Sequence, residues 1–216
     1  MEDLITKITI DDYVPEDIAI FVDYWHDTSS DHIREMGVDQ VLLPSRSAMA
    51  EALHAALDRR RLAERRAALR VVAIRANDRT IGFHQVTDFV PSRKSAIMHG
   101  YITDPSWRGR GAGTVSYTKS MRLFFDRFGL ASILFETPFN NPAAHAIKRK
   151  LGIRSVGRTV IDKPFLLRPL PATVYEVERT EFEGIVANMR RICAGVSQDA
   201  GACRMGDDHM PALRGT

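Results

Sequence analysis

Two cysteines, Cys193 and Cys203, are all that the 216-residue sequence carries, and both lie near its C-terminal end. They make neither a C-x-x-C pair nor a metal-ligand spacing, so a disulfide framework is not expected and a reducing compartment suits the chain. No spacing of histidine, aspartate and cysteine points to a metal. No run of about 18 apolar residues occurs, which leaves no helical segment to span a membrane. The opening stretch, MEDLITKITI, places acidic side chains where a signal peptide would carry positive charge, and no apolar segment follows it. A cytoplasmic location is the expectation. A dense charge of one sign is also lacking: the net charge is only +3, short of the basic stripe expected of a nucleic-acid binder. A basic groove for a phosphate-bearing cofactor explains that small excess equally well. Internal repeats are absent.

What is present is a core. With 44% hydrophobic and 26% charged residues, the chain suits one α/β domain, or one domain with a tail. Residues 4–10 alternate loosely as a first strand. Over 15–25, Ile18, Phe21, Val22 and Trp25 recur at helical spacing, and 26–40 reads as polar and irregular. Residues 44–70 form a long helix, capped by Ser45 or Ser47, with Met49, Leu53, Ala56 and Leu57 as its apolar stripe. Its latter half carries Arg59, Arg60, Arg61, Arg65, Arg66 and Arg70. A hairpin follows, 71–75 and 80–89 around Ala76-Asn77-Asp78-Arg79, then a third strand over 94–103. Residues 113–128 read as a helix closed by Gly129, and 131–136 as a short buried parallel strand. Asn141 caps a helix with Pro142 at its first position and Gly152 at its end. Strands at 153–161 and 172–177 close the order. Residues 1–180 thus form the domain. A C-terminal amphipathic helix, 181–193, shows Phe182, Ile185, Val186 and Met189 on one face, to pack on the domain or on the partner of a possible homodimer. The polar, glycine-rich stretch 194–216 is expected to be a flexible tail.

The most informative segment is Asp104-Pro105-Ser106-Trp107-Arg108-Gly109-Arg110-Gly111-Ala112-Gly113-Thr114. A strand ends, three alternate glycines turn the chain, and a helix begins. Glycines permit positive φ, so successive N–H groups can gather inward, and the helix adds its positive end. The product is an anion site suited to a pyrophosphate, with Arg108 and Arg110 adding positive charge. A dinucleotide-binding turn of the G-x-G-x-x-G type is incomplete, because Thr114 or Ser116 stands where its third glycine belongs. A Walker P-loop is excluded, since no Gly-Lys-Ser/Thr occurs.

The spacing Arg108-x-x-Gly111-x-Gly113 resembles the Q/R-x-x-G-x-G/A signature of the GNAT (GCN5-related N-acetyltransferase) superfamily. A second motif resembles that family's N-x-x-A-x-x-x-Y-x-K-x-G-F: Asn141, Ala144, Lys150, Leu151 and Gly152 stand in place, Ile153 replaces the aromatic, and Lys148 occupies the tyrosine position. The resemblance covers residues 71–160. It implies an α/β acyl-CoA N-acyltransferase fold: a mixed central sheet splayed at the cofactor site, with helices on both faces. It also implies acetyl-CoA as co-substrate. In this family the strand before the turn splays at a bulge and holds the pantetheine and the acetyl carbonyl with its backbone, here Tyr101, Ile102 and Thr103. The pyrophosphate lies on the amides of Arg108, Gly109, Arg110, Gly111, Ala112, Gly113 and Thr114, and Asn141 contacts the pantetheine arm.

The implied chemistry is direct attack of a neutral amine on the thioester, with a backbone N–H stabilising the oxyanion. An amine near pKa 10 needs a base. Glu136, at a strand end five residues before Asn141, is the first candidate, and His99 on the acetyl-bearing strand is the second. His84 cooperates with His99 if both face the cleft, whereas His145 is expected to face solvent. Lys148 stands where the family's tyrosine protonates the leaving thiolate; it either stabilises or protonates that thiolate itself or, within Lys148-Arg149-Lys150, lies solvated, with Tyr101 or Tyr117 as the alternative proton carrier.

The resemblance further implies an acceptor side opposite the cofactor, walled by the first two helices and the final strands, here Tyr24, Trp25, His26, Asp27, Asp31 and His32 with the region around Phe165 and Tyr175. Asp23, Asp27 and Asp31 either attract a cationic amine or are simply solvated. The expected activity is N-acetylation of a primary amine on a small molecule or peptide. The rival readings are a non-catalytic coenzyme A-binding sensor and a nucleic-acid module built on the arginine-rich helix.

Overall fold

The computed structural model describes residues 7–62 and 70–195. Seven strands form one sheet: β1 (Ile8–Asp12), β2 (Val71–Ala76), β3 (Arg79–Val90), β4 (Ser95–Ile102), β5 (Ser132–Pro138), β6 (Arg154–Ile161) and β7 (Leu170–Glu178). Their order across the sheet is β1-β2-β3-β4-β5-β7-β6. Every pairing is antiparallel except β4 with β5, which is parallel. The sheet is therefore mixed, as the expected fold requires.

Both faces of the sheet are covered, and β2 shows why its sequence is a continuous apolar run. Val72 and Ile74 enter one core while Val71 and Ala73 enter the other, the alternation of a strand buried on two sides. On the first face lie α4 (Ala112–Phe128), α5 (Pro142–Leu151) and α6 (Phe182–Cys193). On the second lie α1 (Ile18–His26), α2 (Ser30–Glu35) and the apolar stripe of α3 (Arg46–Leu62). The stripe is the one read from the sequence: Leu57 is buried, with Met49, Leu53 and Ala56 packed beside the same cluster.

α2 corrects the expectation of irregular chain over 26–40. The Ser29 side chain accepts the His32 N–H as an N-cap, and Ile33 is fully buried. One apolar anchor and one cap suffice for a helix too short to show a period. α6 packs its buried Phe182, Ile185, Val186 and Met189 on the chain's own core, with the Phe182 ring 5.4 Å from that of Phe125. That face is not free for a partner subunit. The tail from 196, the start of the first strand before residue 7, Arg65 and Arg66, and the side chains of Arg59, Arg60 and Arg61 lie outside the described residues.

Candidate active site

β4 and β5 pair only at Ser95↔Ser132, Ala96↔Ile133 and Ile97↔Leu134, although β4 runs on to Ile102 and β5 to Pro138. Beyond Ile97 and Leu134 the two strands have no register in common, so a split opens in the middle of the sheet. β4 stays in unbroken register with β3 from Thr87↔Ile97 to Gly82↔Ile102. The irregularity of this pair lies at the other end, between Thr87 and Val90. The split thus arises where β5 leaves, not from a bulge in β4.

Register also decides which backbone groups look into the split. Thr103 N–H donates to the Ile81 carbonyl at 2.9 Å, and the Lys94 carbonyl accepts from Ala131 N–H on the opposite side at 2.7 Å. Alternation along β4 then turns the groups of Met98, Gly100 and Ile102 toward β5, and those of His99 and Tyr101 toward β3. Of the three positions implied by resemblance, only Ile102 faces the split; Tyr101 and Thr103 are committed to β3. Gly100 was missed, and its reason for being glycine is steric. A Cβ there would stand 2.3 Å from the His84 ring.

At the end of β4 the chain makes one 3-10 turn over Pro105–Trp107, with the Asp104 side chain accepting the Ser106 N–H. Gly109 and Gly111 follow at φ +72° and +90°, conformations that L side chains avoid. α4 begins at Ala112, one residue earlier than read from the sequence, with Gly111 at its N-cap and no side chain capping it. Its first amides thus have no side-chain cap, the state in which a helix start can receive an anion. Gly113 serves packing instead: a Cβ there would sit 3.0 Å from Ile147 of α5. Arg108 departs from the expectation. Its Nε donates to the Ile102 carbonyl at 2.9 Å, and its charge acts on Tyr24 and His32 across the second face. Arg110 remains exposed.

Asn141 caps α5 by accepting the Ala144 N–H at 3.0 Å. Lys148, one turn before the end of that helix, is not solvated: it is 2% exposed. Its Nζ lies 3.4 Å from the Tyr117 hydroxyl, 4.4 Å from the Tyr117 ring and 4.9 Å from the Phe135 ring. Phe135 is the first residue of β5 past the last pair with β4. Burial pushes the Lys148 amine down from 10.5 to about 7, because the apolar wall penalises the ammonium. His84 shares this wall, its ring 4.6 Å from Tyr117. Fully buried, it is pushed down to about 3, chiefly by desolvation. Its Nδ1 donates to the His99 carbonyl at 3.2 Å and its Nε2 lies 3.0 Å from the Ser116 hydroxyl. It is a packed, neutral imidazole on the α4 face.

His99 faces the other way and does not cooperate with His84. Thr87 donates to Asp88 at 2.9 Å, so its oxygen accepts from His99 Nε2–H at 3.0 Å, and the Nδ1 lone pair is the basic one. Burial pushes His99 down to about 4. Glu136 shares this face by parity, two residues past Leu134 as His99 is two past Ile97. Burial raises its carboxyl, Lys163 opposes and Asp88 adds to the rise; Lys163 and Asp88 themselves pair at 3.8 Å. Neither residue was singled out in the sequence. Asp88 sits at the β3 irregularity with φ +49°, and Lys163 follows β6 in a loop without a motif.

Three expectations about the acceptor wall change. Asp23 and Asp27 both bind Arg46, Asp27 at 2.6 Å, so they are not open carboxylates. Tyr175 is paired with Phe135 in the sheet and faces the α4–α5 side. There its hydroxyl lies 2.7 Å from His145 Nδ1, and His145, half-buried, also donates from Nε2 to the Pro138 carbonyl at 3.1 Å. Tyr24, Trp25, Phe83 and Tyr101 do form one aromatic cluster on the second face, with the Tyr101 ring 4.9 to 5.5 Å from the other three.

A profile of the acetyltransferase (GNAT) family matches residues 25–153, more than half of the chain. The chain belongs to the GNAT family. Solved acetyltransferases share its fold. Spermidine N-acetyltransferase from Vibrio cholerae, in complex with CoA and spermine, superposes with a TM-score of 0.66 at 14% identity, covering 82% of this chain and 99% of that one. The ribosomal-protein α-N-acetyltransferase RimL, in complex with coenzyme A, gives 0.64 at 13% identity over 80% and 94%. A microcin self-immunity acetyltransferase in complex with acetyl-CoA and AMP gives 0.63 at 11% over 80% and 92%. No curated protein matches in sequence. Among the described residues of this GNAT protein, no helix is long and apolar enough to cross a membrane.

Proposed function

We propose that this GNAT protein transfers the acetyl group of acetyl-CoA to a primary amine, on a small molecule or a protein, by direct attack within one ternary complex. The carrying observation is the split between β4 and β5, with backbone groups of Met98, Gly100 and Ile102 turned into it beside the uncapped start of α4. The cradle fits a thioester-bearing nucleotide: the amides of Gly111, Ala112, Gly113 and Thr114 suit the diphosphate, Gly109 and Arg110 border it, and Asn141 faces the arm from the next junction. The bound thioester supplies an activated acetyl group.

The protein's own groups then divide the work. A Gly100 or Ile102 amide receives the developing oxyanion. Glu136, raised by burial, takes the proton of the incoming ammonium; His99, pushed down to about 4, stays neutral on the same face and offers Nδ1 as a hydrogen-bond acceptor. Lys148, alone or through the Tyr117 hydroxyl, returns a proton to the departing thiolate. Both reactants lie side by side, which removes much of the entropic part of the barrier.

The test is free-thiol release from acetyl-CoA across a panel of polyamines, aminoglycosides and peptide N-termini. At least one amine should give turnover, and Glu136→Gln should lower kcat/KM with that amine by roughly 10²-fold or more, flattening the acid limb of the pH profile. Tight acetyl-CoA binding with no thiol release for any amine would instead favour a coenzyme A-binding sensor.

A further inference from the structure

The Lys148 amine is more than a proton donor in the geometry just described. It is a buried primary amine against Phe135, where the pairing of β4 with β5 has just ended, and among the described residues no carboxylate pairs with it. Two aromatic faces hold it, Tyr117 from α4 and Phe135 from β5, and the second of these is where the β4–β5 pairing has just ended. At 2% exposure, with Nζ 4.9 Å from the ring of Phe135 on β5, the amine lies against the sheet rather than out on the helix surface.

We propose that Lys148 is itself an acetylation site, modified in cis by the acetyl-CoA bound in this split when no acceptor amine is present. The inference rests on the acetyl-CoA reading above. The neutral amine donates its lone pair to the thioester carbonyl carbon, so a C–N bond forms and the C–S bond breaks. Sulfur leaves with the bonding pair, and the proton lost from nitrogen passes to it, through the Tyr117 hydroxyl or directly. The products are one Nε-acetyl-lysine and one coenzyme A thiol, with no oxidant or other reactant needed. An amide does not hand its acetyl group on to an amine, so the modification ends the turnover of that molecule instead of serving as an intermediate.

Two features make this side chain the preferred target over surface lysines. Proximity converts a bimolecular acylation into an intramolecular one. The apolar wall also leaves a large neutral fraction at neutral pH, the amine having been pushed down to about 7, whereas exposed lysines stay protonated until about pH 10. The groups facing it from the packed elements are Tyr117 on α4 and His84 on β3, while His99 on β4 lies across the sheet. β5 offers the Phe135 ring and turns Glu136 to the opposite face, and on α5 itself Arg149 and Lys150 are exposed.

The experiment incubates the full chain with acetyl-CoA and no amine, follows intact mass and thiol release, and maps the modified peptide, with coenzyme A binding measured in parallel by thermal shift. The expected result is one acetyl group and one thiol per chain, at Lys148, at a rate that levels off above about pH 7. Lys148→Arg should remove the mass gain while retaining the thermal shift with coenzyme A. Binding with no mass gain, or acetyl groups only on exposed lysines at a rate still climbing toward about pH 10, overturns the proposal and leaves the cofactor reading standing. No thermal shift at all overturns both.

Discussion

Lys148 occupies a position where a motif leads one to expect a phenol, and its burial changes what the residue costs as well as what it does. An ammonium under Tyr117 and Phe135 is penalised by desolvation, and the penalty depends on pH in a definite sense. The folded-state value, about 7, lies below the ordinary 10.5. The folded chain therefore releases this proton more readily than the unfolded one, and the cost grows as pH falls through that window and shrinks as pH rises. Lys148→Met, which keeps the volume and removes the charge, should be more stable than the natural chain at neutral pH. That advantage should narrow by about 1.4 kcal/mol per pH unit between roughly pH 7 and 9, measured by urea unfolding of both proteins; a difference that does not move with pH would contradict the assignment. The sequence pointed to position 148 but also to solvent, because a Lys-Arg-Lys run usually lies outside. Only the rotation of α5, with Leu151 and Lys148 inward and Arg149 and Lys150 outward, settles which lysine is buried.

At the scale of elements, the site is a junction of β4, α4 and β5, and its parts were unequally legible. The glycine-rich turn and the Asn141 cap could be read directly, since each is a local backbone requirement written in residue type. The parity of β4 could not: whether Tyr101 or Gly100 faces the split depends on a register set by β3, far away in sequence. Arg108 misled for a related reason, since its motif position says nothing about the Ile102 carbonyl that takes its Nε. The turn makes its own prediction. Gly111 holds φ +90° at the N-cap of α4, so Gly111→Ala should cost about 1–2 kcal/mol of stability. The same change should also weaken acetyl-CoA binding, because relief of the strain moves the first amides of the helix. Calorimetric titration of the folded variant checks this; unchanged affinity would show that those amides are not the phosphate cradle.

Across the whole molecule, a fully buried imidazole on one face of the sheet, His84, and a partly buried one on the other, His99, make the protein sensitive to acid. His84 is pushed down from 6.5 to about 3 and His99 to about 4. Both are neutral when folded but take up protons when unfolded, so their contribution is intact above about pH 6.5 and is lost as pH falls toward the folded values. His84 alone should remove about 1.4 kcal/mol per pH unit below that point. Unfolding midpoints between about pH 6.5 and 5 should fall more steeply for the natural chain than for His84→Gln; parallel curves would contradict the assignment. Which face each histidine occupies was not legible from composition or motif, because both sit on adjacent strands and only pairing tells them apart.

Amide hydrogen exchange with and without acetyl-CoA tests whether acetyl-CoA enters the split between β4 and β5 with its diphosphate on the start of α4. Exchange should slow chiefly at Gly100 and Ile102 and across 111–114. Protection confined to other surfaces, with these amides unchanged in a saturated complex, would contradict it.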